Sequence, residues 1–112
     1  MKINFSANGL ELTSELEKYA NRKVSRIARR VPRGLRSTAG CHVVFAQAIR
    51  KGIKFSTCTI TLAFDGNELK AQETTQHMYA ALDIATVQIE QQLKDCARKR
   101  RNGLLRRHFH AS

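Results

Sequence analysis

The chain has 112 residues, 42% of them hydrophobic and 26% charged, with 20 Lys and Arg against 9 Asp and Glu for a formal net charge of +11. That length suits one domain with one modest core, the composition excludes wholesale disorder, and no apolar run approaches the ~20 residues that span a bilayer. A compact body this basic repels itself, so the expected partner is a polyanion, nucleic acid first, with no membrane, cofactor or small-molecule substrate expected.

Met1 to Ser6 holds neither a long apolar stretch nor a cleavage site, so no signal peptide is expected. Ile3, Phe5 and Ala7 alternate with Lys2, Asn4 and Ser6, which predicts a strand with one buried face, and Asn8-Gly9 predicts a turn. Thr13 or Ser14 then opens a helix, Ser14 and Glu17 having the spacing of a capping box. Leu16, Ala20, Val24, Ile27 and Val31 recur at helical period. Lys18, Arg22, Arg26, Arg29 and Arg33 fall roughly opposite them, with Lys23 and Arg30 flanking. Pro32 and Gly34 end the helix.

Residues 38–48 (TAGCHVVFAQA) read as a strand and Arg50-Lys51-Gly52 as a basic turn. Residues 54–64 form the clearest strand, with Cys58, Ile60, Leu62 and Phe64 on one face and Thr57, Thr59 and Thr61 on the other. Asp65-Gly66-Asn67 predicts a hairpin, followed by a shorter strand over 68–74. A second helix starts at His77 or the residue before it, with Met78, Leu82, Ala85, Ile89, Leu93 and Cys96 as its core stripe and Lys94, Arg98 and Arg101 opposite. Asn102-Gly103 stops it. A domain over 1–101 and a short, basic, flexible tail over 102–112 are expected. The order β-α-β-β-β-α predicts an α+β two-layer sandwich of the double-stranded-RNA-binding kind: a four-stranded sheet with both helices packed on one face. The helical crossover makes the first two strands parallel.

Catalysis has little to stand on. No nucleophile sits in a recognisable motif, no phosphate-loop pattern occurs, and His42, His77, His108 and His110 lack evident partners, so no enzyme and no metal are expected. Cys41, Cys58 and Cys96 lie far apart without a C-x-x-C pair and read as free thiols in a reducing cytosol. The basic face is the stronger signal. Solvated helix faces usually alternate acid and base at four-residue spacing, whereas Lys18 to Arg36 contains no acid. Arginine outnumbers lysine there, and its fork suits phosphate geometry. With 6% aromatics and no Trp, stacking platforms are scarce, Tyr79 being one candidate. Backbone and shape readout of a folded RNA fits this surface better than base readout.

The opening INFSANGLELTSELEKYANRKVSRI and the block ELKAQETTQHMYAALD, followed by QIEQQLK, resemble the ribosome hibernation-promoting factor family, also called ribosome-associated translation inhibitor or sigma-54 modulation protein, in its short form. Met78 to Asp83 (MYAALD) is the most specific piece, and the resemblance covers about residues 1–100. It implies a cytoplasmic, non-enzymatic protein that binds rRNA of the small ribosomal subunit in the tRNA and mRNA channel and inhibits translation under stress or in stationary phase. Lys23 and Arg26 match basic family positions, and Arg22, Arg29 and Arg30 extend that surface. On the second helix Gln88, Gln91 and Asp95 stand where short members often carry Lys or Arg, while Lys94, Arg98 and Arg101 shift the contact toward the helix end. Counting the available cations gives about five to eight phosphate contacts.

Three other readings remain. The basic face suits a double-stranded-RNA module acting off the ribosome. The threonine face of the sheet suits a transcription-related protein contact. An RNA-processing enzyme would have to use His42 or His77.

Overall fold

In the computed structural model, which describes residues 1–101, the chain runs β1 (Lys2–Asn8), α1 (Ser14–Arg30), a 3-10 turn (Arg33–Leu35), β2 (Gly40–Arg50), β3 (Ile53–Phe64), β4 (Asn67–Thr75) and α2 (Met78–Arg101). The strands form one sheet in the order β1-β2-β3-β4, with β1 parallel to β2 and the other pairs antiparallel. This is the expected α+β sandwich, including the parallel first pair. The expected stop at Asn102-Gly103 and the tail over 102–112 lie outside the described residues.

Pleating decides which side chains meet the helices. Phe5 faces Val43 across the β1–β2 ladder, and Val43 faces Ile60 across β2–β3. Cys41, Val43, Phe45, Cys58, Ile60, Leu62 and Phe64 are all buried, and they pack under Leu16, Ala20, Val24 and Ile27 of α1. The stripe of α2 is wider than its apolar spacing suggested. Met78, Leu82, Ala85, Ile89 and Leu93 are buried as expected, but so are Ala81, Thr86 and Glu90, because α2 packs against both the sheet and α1. Cys96 is only half-buried. The opposite sheet face is open and hydrogen-bonded within itself, Thr57 with Thr74 at 2.8 Å and Thr59 to Gln72 at 3.3 Å.

Two local expectations are corrected. The cap of α1 is Thr13, whose extended backbone lets Oγ1 accept from the Leu16 N–H at 3.2 Å. Ser14 is already the first helical residue, so it makes no capping box with Glu17. The β2–β3 hairpin is also longer than its apolar pattern implied. Lys51 (φ 52°) and Gly52 (φ 77°) form a two-residue left-handed turn that carries the ladder out to Arg50 opposite Ile53. Asp65 (φ 51°) and Gly66 (φ 75°) close β3–β4 in the same way. Gly9 is fixed by contact as well as by its φ of +78°, since a Cβ there would lie 2.5 Å from the Gln47 carbonyl oxygen. The chain therefore leaves β1 pressed against β2.

Cys41 and Cys58 lie in the core and Cys96 is half-buried; none is in a disulfide. Burial pushes the Cys41 thiol up to about 11; burial and then the neighbouring Cys41 push Cys58 up to about 12.

Candidate nucleic-acid interface

The two helices run parallel and in register. Tyr19 meets Tyr79 with ring centroids 4.8 Å apart, Lys23 meets Asp83, and Arg30 meets Glu90 sixty residues along the chain. This register sorts the basic residues of α1 into two rows. The inner row faces α2 and finds carboxylates there. Lys23 Nζ lies 3.1 Å from Asp83 Oδ1, and Arg30 Nε donates to Glu90 Oε2 at 2.8 Å. Glu90, with only 10% of its side chain exposed, also takes Arg26 at 4.0 Å on its other oxygen. The outer row is Lys18, Arg22, Arg26 and Arg29, all exposed. Shallow hollows along α1 are lined by Lys18, Asn21, Arg22, Ser25 and Arg29, and by Tyr19, Arg22, Lys23 and Arg26.

Tyr19 joins the rows. Its hydroxyl donates to Asp83 Oδ1 at 2.6 Å, and Arg22 and Lys23 lie 5.5 and 5.3 Å from the ring centre. The Asp83 hydrogen bond first, and then burial, hold this hydroxyl above the usual tyrosine value. At the far end of α1, Arg36 folds back to donate to the Val31 and Arg29 carbonyl oxygens at 2.9 and 2.7 Å.

The structure brings Arg22, Lys23, Arg26, Arg29 and Arg30 onto one surface. The second-helix residues divide. Lys94 is exposed one turn past Glu90 on the side toward α1. Arg98 is exposed and lies 3.4 Å from Asp95, and Gln91 donates to the same Asp95 oxygen at 3.3 Å. Gln88 faces away from α1, donating to Glu73 of β4 at 3.0 Å. Arg101 closes α2, and its side chain lies outside the described residues. Tyr19, Asp83, Glu90 and Arg36 were not singled out from sequence. The absence of acid from Lys18 to Arg36 is true of the chain but not of the space around it, since α2 supplies two carboxylates.

His42 shares a 2.8 Å hydrogen bond with Ser6 on the open sheet face, and the His77 N–H donates to Thr75 Oγ1 at 3.0 Å. Among the described residues no three His, Cys, Asp or Glu side chains converge as metal ligands, and no helix is long and apolar enough to cross a membrane.

Known proteins match this architecture. The N-terminal domain of Protein Y from Thermus thermophilus is similar with a TM-score of 0.70 at 23% identity, over 85% of this chain and 98% of that one. A ribosomal subunit interface protein from Coxiella burnetii is similar with a TM-score of 0.68 at 23% identity, over 85% of this chain and 96% of that one. At that identity these two establish the fold. In sequence, the ribosome hibernation promoting factor of Azotobacter vinelandii is 28% identical over 93 residues, which is 83% of this chain and 79% of that protein. Residues 3–101, all of the described residues but the first two, match the family described as Sigma 54 modulation protein / S30EA ribosomal protein, and the chain belongs to that family.

Proposed function

We propose that this protein binds the small ribosomal subunit through rRNA in the channel used by tRNA and mRNA, and holds ribosomes idle in the cytoplasm under stress or in stationary phase. The observation that carries this reading is the outer row of α1. Arg22, Arg26 and Arg29 project from a helix whose inner row is tied to α2, so the row is presented on a rigid support. A planar guanidinium fork loses less freedom per hydrogen bond on meeting phosphates than an ammonium does, and positive charge speeds the encounter. Family membership and the Azotobacter relative's name as a hibernation factor support the ribosome as the target. Inhibition by occupancy needs no chemical step. The domain over residues 1–101 is the binding unit. Besides the outer row, Lys23, Arg30, Lys94 and Arg98 contribute to the same surface, with Arg101 a further candidate by its position at the end of α2; Gln91 borders it, and Gln88 contributes least because it faces β4.

The test is co-sedimentation with purified small subunits at low and high salt, with duplex RNA as competitor. Saturable, near-stoichiometric, salt-sensitive binding that duplex RNA does not displace is expected. Easy displacement by duplex RNA would assign the surface to RNA off the ribosome. Salt-insensitive binding to a protein partner would move attention to the open sheet face.

A further inference from the structure

The tip of the β2–β3 hairpin stands clear of the rest of the sheet. The last residue of β1, Asn8, pairs with Ala46, and the last residue of β4, Thr75, pairs with Ser56, so the ladder beyond is two-stranded. Here Ile49 is 73% exposed and Ile53 46% exposed, the former the most exposed large hydrophobic side chain among the described residues. Arg50, Lys51 and Lys54 surround them, all exposed. No acid occurs in the chain from Lys18 to Phe64, and no ion pair among the described residues includes these three cations. Glu15 and Glu17 in the first turn of α1, and Glu11 just before it, lie at the same end of the molecule, and none is in an ion pair among the described residues.

Pairing sets the faces. Antiparallel partners share a face, so Ile49 and Lys54 lie on the helix side, while Arg50 and Ile53 lie on the open side. Each face therefore carries one cation and one isoleucine, and Lys51 sits at the apex in a left-handed conformation that Asn or Gly adopts more readily. A surface lying flat on a partner would need charge on one face only. A two-stranded ribbon with cations on both faces suits a cleft whose two walls are both anionic, as where two phosphate backbones of a folded RNA approach each other. Exposed aliphatic side chains can pack there against sugars and the unstacked bases of loops and bulges.

The tip is also remote from the far end of the helical surface. β1 ends near the tip and hands the chain to the start of α1. The last turn of α1, with Arg29 and Arg30, thus lies at the opposite pole, a helix length of about 25 Å away.

We propose that the β2–β3 tip is a second RNA-binding element. It enters a cleft between phosphate backbones of folded RNA with Arg50 and Lys54 toward opposite walls, Lys51 leading, and Ile49 and Ile53 against sugars and unstacked bases. This rests on the reading that the protein binds rRNA through α1. It makes the molecule a two-point binder.

The test is co-sedimentation of the full chain with small subunits across a salt series, with thermal melting as the folding control. A tip variant carries Arg50→Ser, Lys51→Asn and Lys54→Ser. A second carries Ile49→Thr and Ile53→Thr. A helix variant carries Arg22→Glu, Arg26→Glu and Arg29→Glu. The tip variant should bind at least ~10-fold more weakly and lose about two to three units of salt slope, with melting unchanged. The isoleucine variant should bind more weakly with its slope intact. Wild-type affinity and slope in the tip variant, with binding lost in the helix variant, would overturn the second site and leave the α1 reading standing. Binding lost in the tip variant but kept in the helix variant would support the tip and overturn the α1 reading. Binding lost only in the isoleucine variant would assign the tip to a protein partner and overturn its role in RNA binding.

Discussion

Helices α1 and α2 lie parallel on the same face of the sheet, yet they dispose their charge in different ways. From Lys18 onward α1 carries bases and no acids, and its last turn ends on Arg29 and Arg30. α2 carries Asp83, Glu90 and Asp95 within its length and gathers its bases toward the C-terminal end. Asp83 and Glu90 both face α1, where they hold Lys23 and Arg30. α1 thus supplies the surface and α2 supplies the anchor. Carboxylates on the neighbouring helix fix the inner cations and reach only Arg26 of the outer row, leaving Lys18, Arg22 and Arg29 outside any ion pair among the described residues, which is how a strongly basic helix can be both rigid and exposed.

The largest expected effect comes from breaking the outer row alone. Lys18→Glu, Arg22→Glu and Arg29→Glu together should lower affinity for small subunits by ~100-fold or more, with an unchanged melting temperature, as read by co-sedimentation and circular dichroism. Arg30→Glu tests the inner row. It sets a carboxylate against the largely buried Glu90 and should lower folding stability by about 2–3 kcal/mol, measured by urea unfolding. An outer-row variant that unfolds, or an Arg30→Glu variant that melts like wild type, would erase the distinction between the rows. Glu90→Gln keeps the shape and removes the anchor's charge. It should cost about 1–2 kcal/mol while subunit affinity stays level or rises, since Arg26 and Arg30 are released to solvent. Tyr19→Phe removes only the hydrogen bond to Asp83 and should cost about 1 kcal/mol, with loss of the high-lying tyrosine step in an absorbance titration.

The effect that is silent at neutral pH is a pH dependence. Tyr19, Cys41 and Cys58 all titrate above their ordinary values in the fold, the two thiols at about 11 and about 12. Groups raised in this way keep their protons more tightly when folded. Their contribution is complete below the unfolded thiol value and is lost as pH rises through the folded ones. Stability should therefore stay level through neutrality with respect to these groups and fall progressively above about pH 9. A fall of the same size after replacement of both buried cysteines by Ala would assign it elsewhere.

Much of this molecule can be read along the chain. The strands follow from alternation, the hairpins from Asp65-Gly66 and Lys51-Gly52, and α1 from its apolar period; the basic residues of α1 are contiguous enough to be found as a surface. The anchors were not, because periodicity relates residues only within one element, and the pairing of Arg30 with Glu90 spans sixty residues. A local signal for Glu90 did exist. It lies between Ile89 and Leu93 inside the buried stripe of α2, and a carboxylate there needs a cation from a neighbour. Gln88 illustrates the same limit. At 100° per residue it sits 200° from Glu90, so the two cannot both face α1, but which of them does so is decided by where the sheet lies. The hairpin tip was legible only as a basic turn: Ile49 and Ile53 lie outside both predicted strands, and that β1 and β4 stop short of them is visible only in the sheet.

The folded-back Arg36 has an electrostatic consequence for the end of α1. Peptide dipoles add along a helix, leaving roughly half a negative charge on the unsatisfied carbonyls of its last turn. A helix that meets phosphates near its C-terminus would therefore present them with repulsion. Arg36 donates to the Arg29 and Val31 carbonyl oxygens, and its guanidinium covers that negative pole. Arg29 and Arg30 can then face a polyanion from a helix end that no longer opposes them. Arg36→Ala should uncover that pole and weaken polyanion binding without removing any side chain of the outer row, an effect that grows as salt is lowered.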